Sequence, residues 1–515
     1  MKNFYFNNLS FALLSLLPLG LVAGPFVAEI LMNLVSLIFL YDIRKNKNFM
    51  IFKDKIFFFF FSFYIFLIFS LINSDIFSES AINVFFYLRF IIFSFAAFSI
   101  IKKNQDKLKY LYLTLSLTTL VVVVDGYIQF IFEKNILGFP KYRADRISGF
   151  FNTNLILGSF LVRILPLLIG LTLYLKKEIK YFFNLNLLLI FSTIMLIFLT
   201  GERSALFLLI IFLVIIALLV SVSIKIKIAG VSFFILATIL LAIFNPILID
   251  RYGLQLKNHL FGNSQNGGFL SYYMPMFKTS LKMFKEKPVI GLGPKSYRYL
   301  CSNDKYVSYY PQLQVTDNTI IQAALPWTEI RNFEIKEFLI NEGDIIDIGD
   351  VLFSYYFIGD DKLNFFSSNK EGKILSITKD INVQLVNSDT FAIIKPLRSN
   401  KKQYFYKNSC NTHPHSFYFQ LLAETGIIGF LFIFSLFLTV SLILLMNLFN
   451  FAAKDKNNLY NLQICLLANF FIFLWPLTTS GNFFNNWLNI IAFYPLGFYL
   501  FIKTELDNKN DNKNI

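Results

Sequence analysis

Histidine is almost missing from this chain: there are three in 515 residues, and two of them, His413 and His415, stand two positions apart. Cysteine is as scarce, also at three. Charged residues make up only 15%, whereas an ordinary soluble domain carries about 25%. That deficit is filled by apolar side chains, 56% of the chain, with 65 Phe alone. No soluble core needs so much apolar surface, so a water-soluble globular protein is excluded and a membrane protein is expected. Acidic residues are fewer than basic ones, which leaves a net charge of +15. The Lys and Arg residues sit in short gaps between apolar runs, where the positive-inside rule places them, so they mark cytoplasmic loops and no nucleic-acid partner is expected. Cys410, His413 and His415 lie close together, but a fourth ligand is not evident, and neither a metal nor any other cofactor is expected.

Twelve apolar runs of about 17–25 residues are long enough to cross a bilayer: 8–23, 25–42, 55–73, 82–101, 108–132, 154–175, 181–199, 204–223, 228–248, 427–449, 459–478 and 483–503. The first two, joined at Gly24-Pro25, could instead form one re-entrant hairpin. Met1–Ala23 has the outline of a signal peptide, but the apolar character continues straight into the next run, which favours a span. Arg44-Lys45-Asn46-Lys47, Lys102-Lys103, Lys176–Lys180, Lys225-Ile226-Lys227 and Lys454-Asp455-Lys456 are basic connectors that fall on one side, and the acidic Asp75–Glu79 stretch falls on the other. Both ends of the chain are therefore expected in the cytoplasm, and loops 133–153, 200–203, 249–415 and 479–482 outside. The expected organisation is an all-α polytopic protein. Residues 1–248 form a bundle of about nine spans, 249–315 an outer loop with an amphipathic helix, and 316–397 an inserted β domain. A histidine segment follows at 398–426, then the last spans at 427–503 and a disordered cytoplasmic tail at 504–515.

The histidine segment reads Thr412-His413-Pro414-His415-Ser416, nine further residues, then Gly426-Ile427-Ile428-Gly429. An imidazole at the mouth of an apolar span is either a general base, neutral and able to take a proton from a hydroxyl, or part of a polar helix start. The spacing His415, Ser416, Gly426, Gly429 resembles the signature of the O-antigen ligase and O-antigen polymerase superfamily. These are polytopic enzymes of the bacterial inner membrane that take a glycan from a polyprenyl pyrophosphate carrier on the periplasmic face.

Other outer segments bear on the same likeness. Thr200-Gly201-Glu202-Arg203-Ser204-Ala205 resembles the family's Thr-Gly-x-Arg-x-Ala element, which implies that Arg203 grips the pyrophosphate; by chemistry alone it reads first as a snorkelling arginine at a span end. Arg146-Ile147-Ser148-Gly149-Phe150 looks like the family's pattern before the following span, which holds Arg163 about nine residues in. An arginine at that depth must face protein, water or an anion, or pair with a carboxylate. Residues 271–288 read as an amphipathic helix ending in Lys287-Pro288-Val289-Ile290-Gly291-Leu292-Gly293, similar to the family's Asn-Pro-Leu-x-Gly-x-Gly. Where many members carry a second pyrophosphate-binding Arg, this chain has Tyr273; Lys278, Arg298 and Arg251 are the substitutes at hand. Gly291-x-Gly293 reads as a turn rather than a phosphate cradle. Cys301 and Cys410 both fall in the outer loop, in an oxidising compartment, and are expected to pair.

Between these cysteines the composition turns to short alternating runs with turn signals, an all-β pattern. Its two halves, Glu337–Leu352 and Lys373–Ile394, look alike and resemble the barrel-sandwich hybrid of lipoyl and biotinyl domains. Lys362 stands near the modified lysine of those domains, but Leu363 and the spacing to Gly372 depart from the pattern, and no modification is expected. The ligase likeness therefore covers about 1–310 and 405–505 and skips this insert.

The resemblance implies a GT-C-like membrane fold with its active site facing the periplasm. It implies metal-independent, inverting glycosyl transfer, with His415 as base and Arg203, Arg146, Arg163, Lys278 and Arg298 around the pyrophosphate. The implied partners are a polyprenyl-pyrophosphate-linked glycan, lipid A–core or another glycan acceptor, and membrane lipids. A polymerase, using a second carrier-linked repeat as acceptor, fits the same motifs. A lipid-linked glycan flippase is the reading from another class. It is disfavoured because the basic residues gather at one face and the long loop has no counterpart in the first half.

Overall fold

The computed structural model describes residues 2–225, 251–253, 269–308, 319–322, 333–395 and 410–511, less positions 48, 143–144, 348, 358–361, 369–370, 378–383, 386–389 and 450–457, with scattered positions between 227 and 257. The span expected at 228–248 lies largely outside the described residues.

Long apolar runs in a bilayer must satisfy every backbone N–H and C=O internally, and helices do so. Nine helices are described before the outer loop: α1 (Lys2–Ala23), α2 (Pro25–Asn46), α3 (Lys55–Ser70), α4 (Phe77–Phe85), α5 (Leu88–Lys103), α6 (Leu108–Phe132), α7 (Leu157–Tyr174), α8 (Phe183–Leu199) and α9 (Arg203–Leu219). The loop contributes α10 (Phe269–Glu286) and α11 (Ser296–Leu300), and the final part α12 (Phe417–Phe449), α13 (Asn458–Phe473) and α14 (Asn486–Asp511). Seven helical stretches among the described residues are long and apolar enough to cross a membrane, α4 and α5 together forming one of them (Phe77–Lys103), and α8, α9 and α13 are shorter apolar helices. This is a membrane protein.

The first two apolar runs stay two spans, as the twelve-run count has them, and one later run is interrupted. α1 and α2 are separate helices of 22 residues each, about 33 Å at 1.5 Å per residue, enough for a ~30 Å hydrocarbon core without a re-entrant turn. The run at 82–101 is broken at Phe86-Tyr87 into α4 and α5. There Tyr87 is buried, edge-on to Phe63 at 6.1 Å, with its hydroxyl donating to Asn489 Oδ1 at 3.3 Å.

Helix packing gathers the connections that carry polar residues at one end of the bundle. α14 packs along α5 and against α13, and α7 packs against α13. Loop 133–153 is tied down by two buried side chains of α6. Asp125 Oδ1 accepts Ile136 N–H at 2.9 Å, and Gln129 Oε1 accepts Ser148 and Gly149 N–H at 2.9 and 2.7 Å. Ile147 N–H then reaches Thr200 O at 3.4 Å, so this loop lies against the α8–α9 turn.

The insert forms two four-stranded sheets from β1 (Thr319–Gln322), β2 (Phe333–Phe338), β3 (Ile345–Ile346), β4 (Val351–Phe357), β5 (Asn364–Ser367), β6 (Gly372–Ile377), β7 (Gln384–Leu385) and β8 (Thr390–Lys395). The strand orders are β1-β8-β6-β3 and β5-β4-β2-β7, and all pairs are antiparallel. Moving each strand four places along the chain converts one order into the other. β6, β7 and β8 begin 39 residues after β2, β3 and β4 (333 to 372, 345 to 384, 351 to 390). The ladders shift at matching places, between Ile335 and Glu337 and between Ile374 and Ser376. Phe333, Phe353, Phe366, Ile374 and Ile394 fill the space between the sheets. Exposed Lys362 stands in the β4–β5 connection.

Candidate active site

His415 lies in the loop that leads into α12, in a left-handed backbone conformation with φ 56°. The α13–α14 connection holds it there. Ser480 N–H donates to His415 O at 3.0 Å, and Phe417 N–H donates to Ser480 Oγ at 2.8 Å, which caps the first turn of α12. Ser416 is buried, and its carbonyl accepts Gln420 N–H at 3.0 Å. Asn411 Nδ2 stands 3.2 Å from His415 Nε2, and Asn411 Oδ1 accepts Thr412 N–H at 2.7 Å. That second bond fixes which way the amide faces, so the NH2 points at the ring and Nε2 is the nitrogen that accepts. The His413 ring sits 4.3 Å from that of His415, and Thr412 Oγ1 lies 2.9 Å from His413 Nδ1. Burial holds both imidazoles below the usual histidine range, His413 down to about 4 with His415 adding to the effect. Both rings are neutral at pH 7.

Tyr273, at the position where an arginine was sought, meets His415 edge-on at 5.7 Å. Its neighbour Phe277 stacks on Phe419 at 4.3 Å, so α10 lies on the start of α12. The disulfide between Cys301 and Cys410, with 5.1 Å between the Cα atoms, ties the segment after α11 to the base of the histidine loop.

The glycines of the motif have a backbone role. α12 is kinked at Gly426, where φ is 63° and ψ −164°. The stretch Pro288–Gly293 crosses the kink. Ile427 N–H donates to Pro288 O at 2.8 Å, Leu292 N–H to Ala423 O at 3.1 Å, and Gly293 N–H to Glu424 O at 2.9 Å. A Cβ on Gly426 would lie 2.5 Å from the Val289 backbone, and one on Gly291 2.4 Å from that of Glu424. Only glycine allows two backbones this close. Gly291-x-Gly293 is thus committed to the crossing. Glu424, fully buried, accepts Lys295 N–H at 2.8 Å, Tyr297 N–H at 3.1 Å and Gln420 Nε2 at 3.1 Å. Gln420 continues to Asn482 Oδ1 at 3.0 Å.

The arginines form a second group around the start of α7 and the α8–α9 turn. Arg203 Nε donates to Arg251 O, and Arg251 Nε donates to Gly201 O, each at 3.1 Å. Arg251 also pairs with Asp145 at 3.0 Å. Arg146 donates to Leu155 O at 2.9 Å and stands 3.8 Å from Glu202. Glu202 caps α7, accepting Gly158 N–H at 2.8 Å and Ser159 Oγ at 2.8 Å. Burial pushes its carboxyl up, against the opposing pull of Arg146 and these hydrogen bonds. Arg163 is buried, donates Nη1 to Ser159 O at 2.7 Å, and lies 5.7 Å over the Phe473 ring, and its Nε has no hydrogen-bond partner among the described residues. Phe473 in turn packs 5.6 Å from Phe417, two residues beyond His415. The histidine loop and the arginine group are therefore linked through two aromatic rings.

Arg146, Arg163 and Arg203 come together in this way. Lys278 is exposed on α10. Arg298, exposed on α11, belongs to a different set of charges with Lys295, Arg89 and Glu29. Sequence reasoning missed Asn411, Ser480, Glu424 and the Gln420–Asn482 pair. Asn411, four residues before His415, and the polar run Thr478–Asn482 between two spans were the available signals. Among the described residues no three His, Cys, Asp or Glu side chains converge on a metal-binding arrangement.

Residues 187–325 match the family model described as O-antigen ligase. The matched stretch contains Arg203, α10 and the Gly291 turn, and ends inside the insert. No curated protein matches the chain. The protein is a membrane protein, and this stretch of it is similar to the O-antigen ligase family.

Proposed function

We propose that the protein transfers a glycan from a polyprenyl pyrophosphate carrier to a sugar hydroxyl, with lipid A–core as acceptor, at the periplasmic face of the inner membrane. The observation that carries this reading is the pairing, across Phe417 and Phe473, of a neutral imidazole with a buried, partly unsatisfied guanidinium. The first suits a base and the second suits an anionic leaving group.

In this mechanism the acceptor hydroxyl replaces the Asn411 amide at His415 Nε2 and gives its proton to that nitrogen. The oxygen attacks the anomeric carbon from the side opposite the carrier. The carbon–oxygen bond to the pyrophosphate breaks, its electron pair leaves with the phosphate, and the configuration inverts. Arg203, with Arg146 and Arg163, stabilises the charge that develops on the pyrophosphate. The carrier leaves as polyprenyl pyrophosphate and His415 returns its proton to water. Cys410, bound to Cys301, lacks the thiolate that a Cys–His metal site would need, so the reaction is written without a metal.

The test is a set of variants with donor binding and transfer read separately. His415→Ala is expected to cut transfer by about 10²–10⁴ while donor binding persists. Arg203→Ala is expected to weaken donor binding, and His413→Ala to be milder than His415→Ala. Wild-type transfer should persist in chelator. An essential His413 with a dispensable His415, or loss of activity on chelation, would overturn the assignment. A deletion strain separates the acceptor alternatives. Core without long chains, with lipid-linked polymer accumulating, means a ligase. Core plus one repeat means a polymerase, and carrier trapped on the cytoplasmic side means a flippase.

A further inference from the structure

At the end of the bundle that the positive-inside rule assigns to the cytoplasm, α1, α2 and α5 enclose a cleft of about 230 Å³. Its floor is buried and comes from Ser10 of α1, Phe39 of α2, and Ser99 and Ile100 of α5. Phe6 of α1 and Tyr41 of α2 form its exposed edge, with 5.5 Å between ring centres. Two polar clasps hold the walls. Asn7 and Asn104, the residue that ends α5, exchange amide hydrogen bonds at 2.9 and 3.0 Å. Asp42 of α2 accepts Lys103 Nζ of α5 on Oδ2 and Asn46 Nδ2 on Oδ1, the second at 2.8 Å. Lys45 completes the charged part of the lining. These bonds tie both α1 and α2 to the end of α5, so the cleft is preformed.

Charge and lining together select the occupant. Lys45 and Lys103 against Asp42 leave the cleft with an excess of one positive charge. Both Asp42 oxygens already accept a donor, so an ethanolamine ammonium would have to displace Lys103 or Asn46 to reach a carboxylate. Lys103 spends one of its three donors on Asp42, which leaves two for phosphate oxygens. A basic pocket between membrane helices on this side is where anionic head groups are held. The apolar lining, Phe6, Ile38 and Phe39, calls for an amphiphile rather than a soluble phosphate. α1 and α2 also expose Leu9, Leu34 and Leu37, surface that acyl chains cover.

We propose that this cleft binds the head group of an anionic phospholipid, phosphatidylglycerol, with the phosphodiester between Lys45 and Lys103 and the first acyl carbons against Phe6 and Ile38. The site does not depend on the transfer reaction, and its test uses none. A photoreactive phenylalanine analogue is placed at Tyr41 of the full chain, and in a control at Tyr181, which is exposed beside Lys180 in another basic connector. The chain is reconstituted in nanodiscs of phosphatidylethanolamine with a minor share of phosphatidylglycerol, and the lipid adducts are identified by mass. At Tyr41 the ratio of phosphatidylglycerol to phosphatidylethanolamine adducts should exceed the bilayer ratio by about fivefold, the factor that one membrane-surface lysine supplies. At Tyr181 it should stay near the bilayer ratio. Lys45→Ala should return the Tyr41 ratio to that of the bilayer, and Lys45→Arg should keep the enrichment. Excess glycerol 3-phosphate should leave the labelling unchanged. A bilayer ratio at Tyr41 in the unmutated site would overturn the proposal. So would equal enrichment at Tyr181, which means diffuse attraction to basic loops, or enrichment that survives Lys45→Ala. Loss of the adduct to glycerol 3-phosphate would show that the cleft takes a soluble phosphate, and would overturn it too.

Discussion

Ser480 grips His415 from both sides: its N–H donates to the His415 carbonyl at 3.0 Å, and its hydroxyl accepts the N–H of Phe417 at 2.8 Å. The two residues are 65 positions apart, and α12 and α13 lie between them in the chain. The left-handed backbone of His415, which is costly for a residue with a Cβ, is held by this clamp.

Ser480→Ala removes the hydroxyl and keeps the backbone bond. The loss of an N-terminal cap costs about 0.5–2 kcal/mol. The imidazole then loses its orientation while the arginine group is untouched. Transfer should fall about tenfold in kcat, roughly 1.4 kcal/mol in barrier height, with donor KM unchanged and with Ser480→Thr restoring the rate. A matching rise in donor KM would show that Ser480 serves general stability.

The pH dependence follows from the two imidazoles. Burial holds His415 below the ordinary value of about 6.5, so the base stays deprotonated further into acid. The acid limb of kcat/KM should therefore have its midpoint below about 6.5. Stability has a definite sign as well. The unfolded chain takes up a proton on His413 near the ordinary value, whereas the folded chain does so only at about 4. The contribution is present above the unfolded value and is lost as pH falls through the window down to about 4. Thermal unfolding in detergent should show this fall, and His413→Gln should flatten part of it.

Gly426 and Gly429 belong to one motif but should respond differently. Gly426→Ala forces a side chain into a glycine-only conformation, which costs about 1–3 kcal/mol, and drives a Cβ to 2.5 Å from the Val289 backbone. No side-chain change nearby can relieve that. At Gly429 the added Cβ meets the Thr425 side chain at 2.1 Å. Folded yield should drop sharply for both single variants, and Thr425→Ala should rescue Gly429→Ala alone. Rescue of Gly426→Ala by the same change would disprove the backbone crossing.

Much of the architecture is written in local pattern. The apolar runs coincide with α1–α3, α6–α9, α13 and most of α14, because a run of that length in a bilayer has one way to satisfy its backbone. The amphipathic stretch at 271–288 appears as α10, and the short alternating runs of the insert appear as strands. Pattern failed where a contact distant in the chain decided. The apolar continuity of 82–101 hid the turn at Phe86-Tyr87, which depends on a packing partner, Phe63, on another helix.

The sequence by itself determined the membrane class and the chemical groups available, because composition, helical period and the spacing of His415, Ser416, Gly426 and Gly429 are properties of neighbouring residues. Tertiary structure alone decided what those groups touch. It set Tyr273 against His415, made the turn at Gly291-x-Gly293 a partner for the Gly426 kink, and placed Arg298 among the charges around Lys295. It also recruited Asn411 and Ser480, which no motif singled out. The reason is physical. A hydrogen bond or a backbone crossing needs atoms placed to within a few tenths of an ångström, and that placement comes from the packing of whole helices, which no short stretch of sequence encodes.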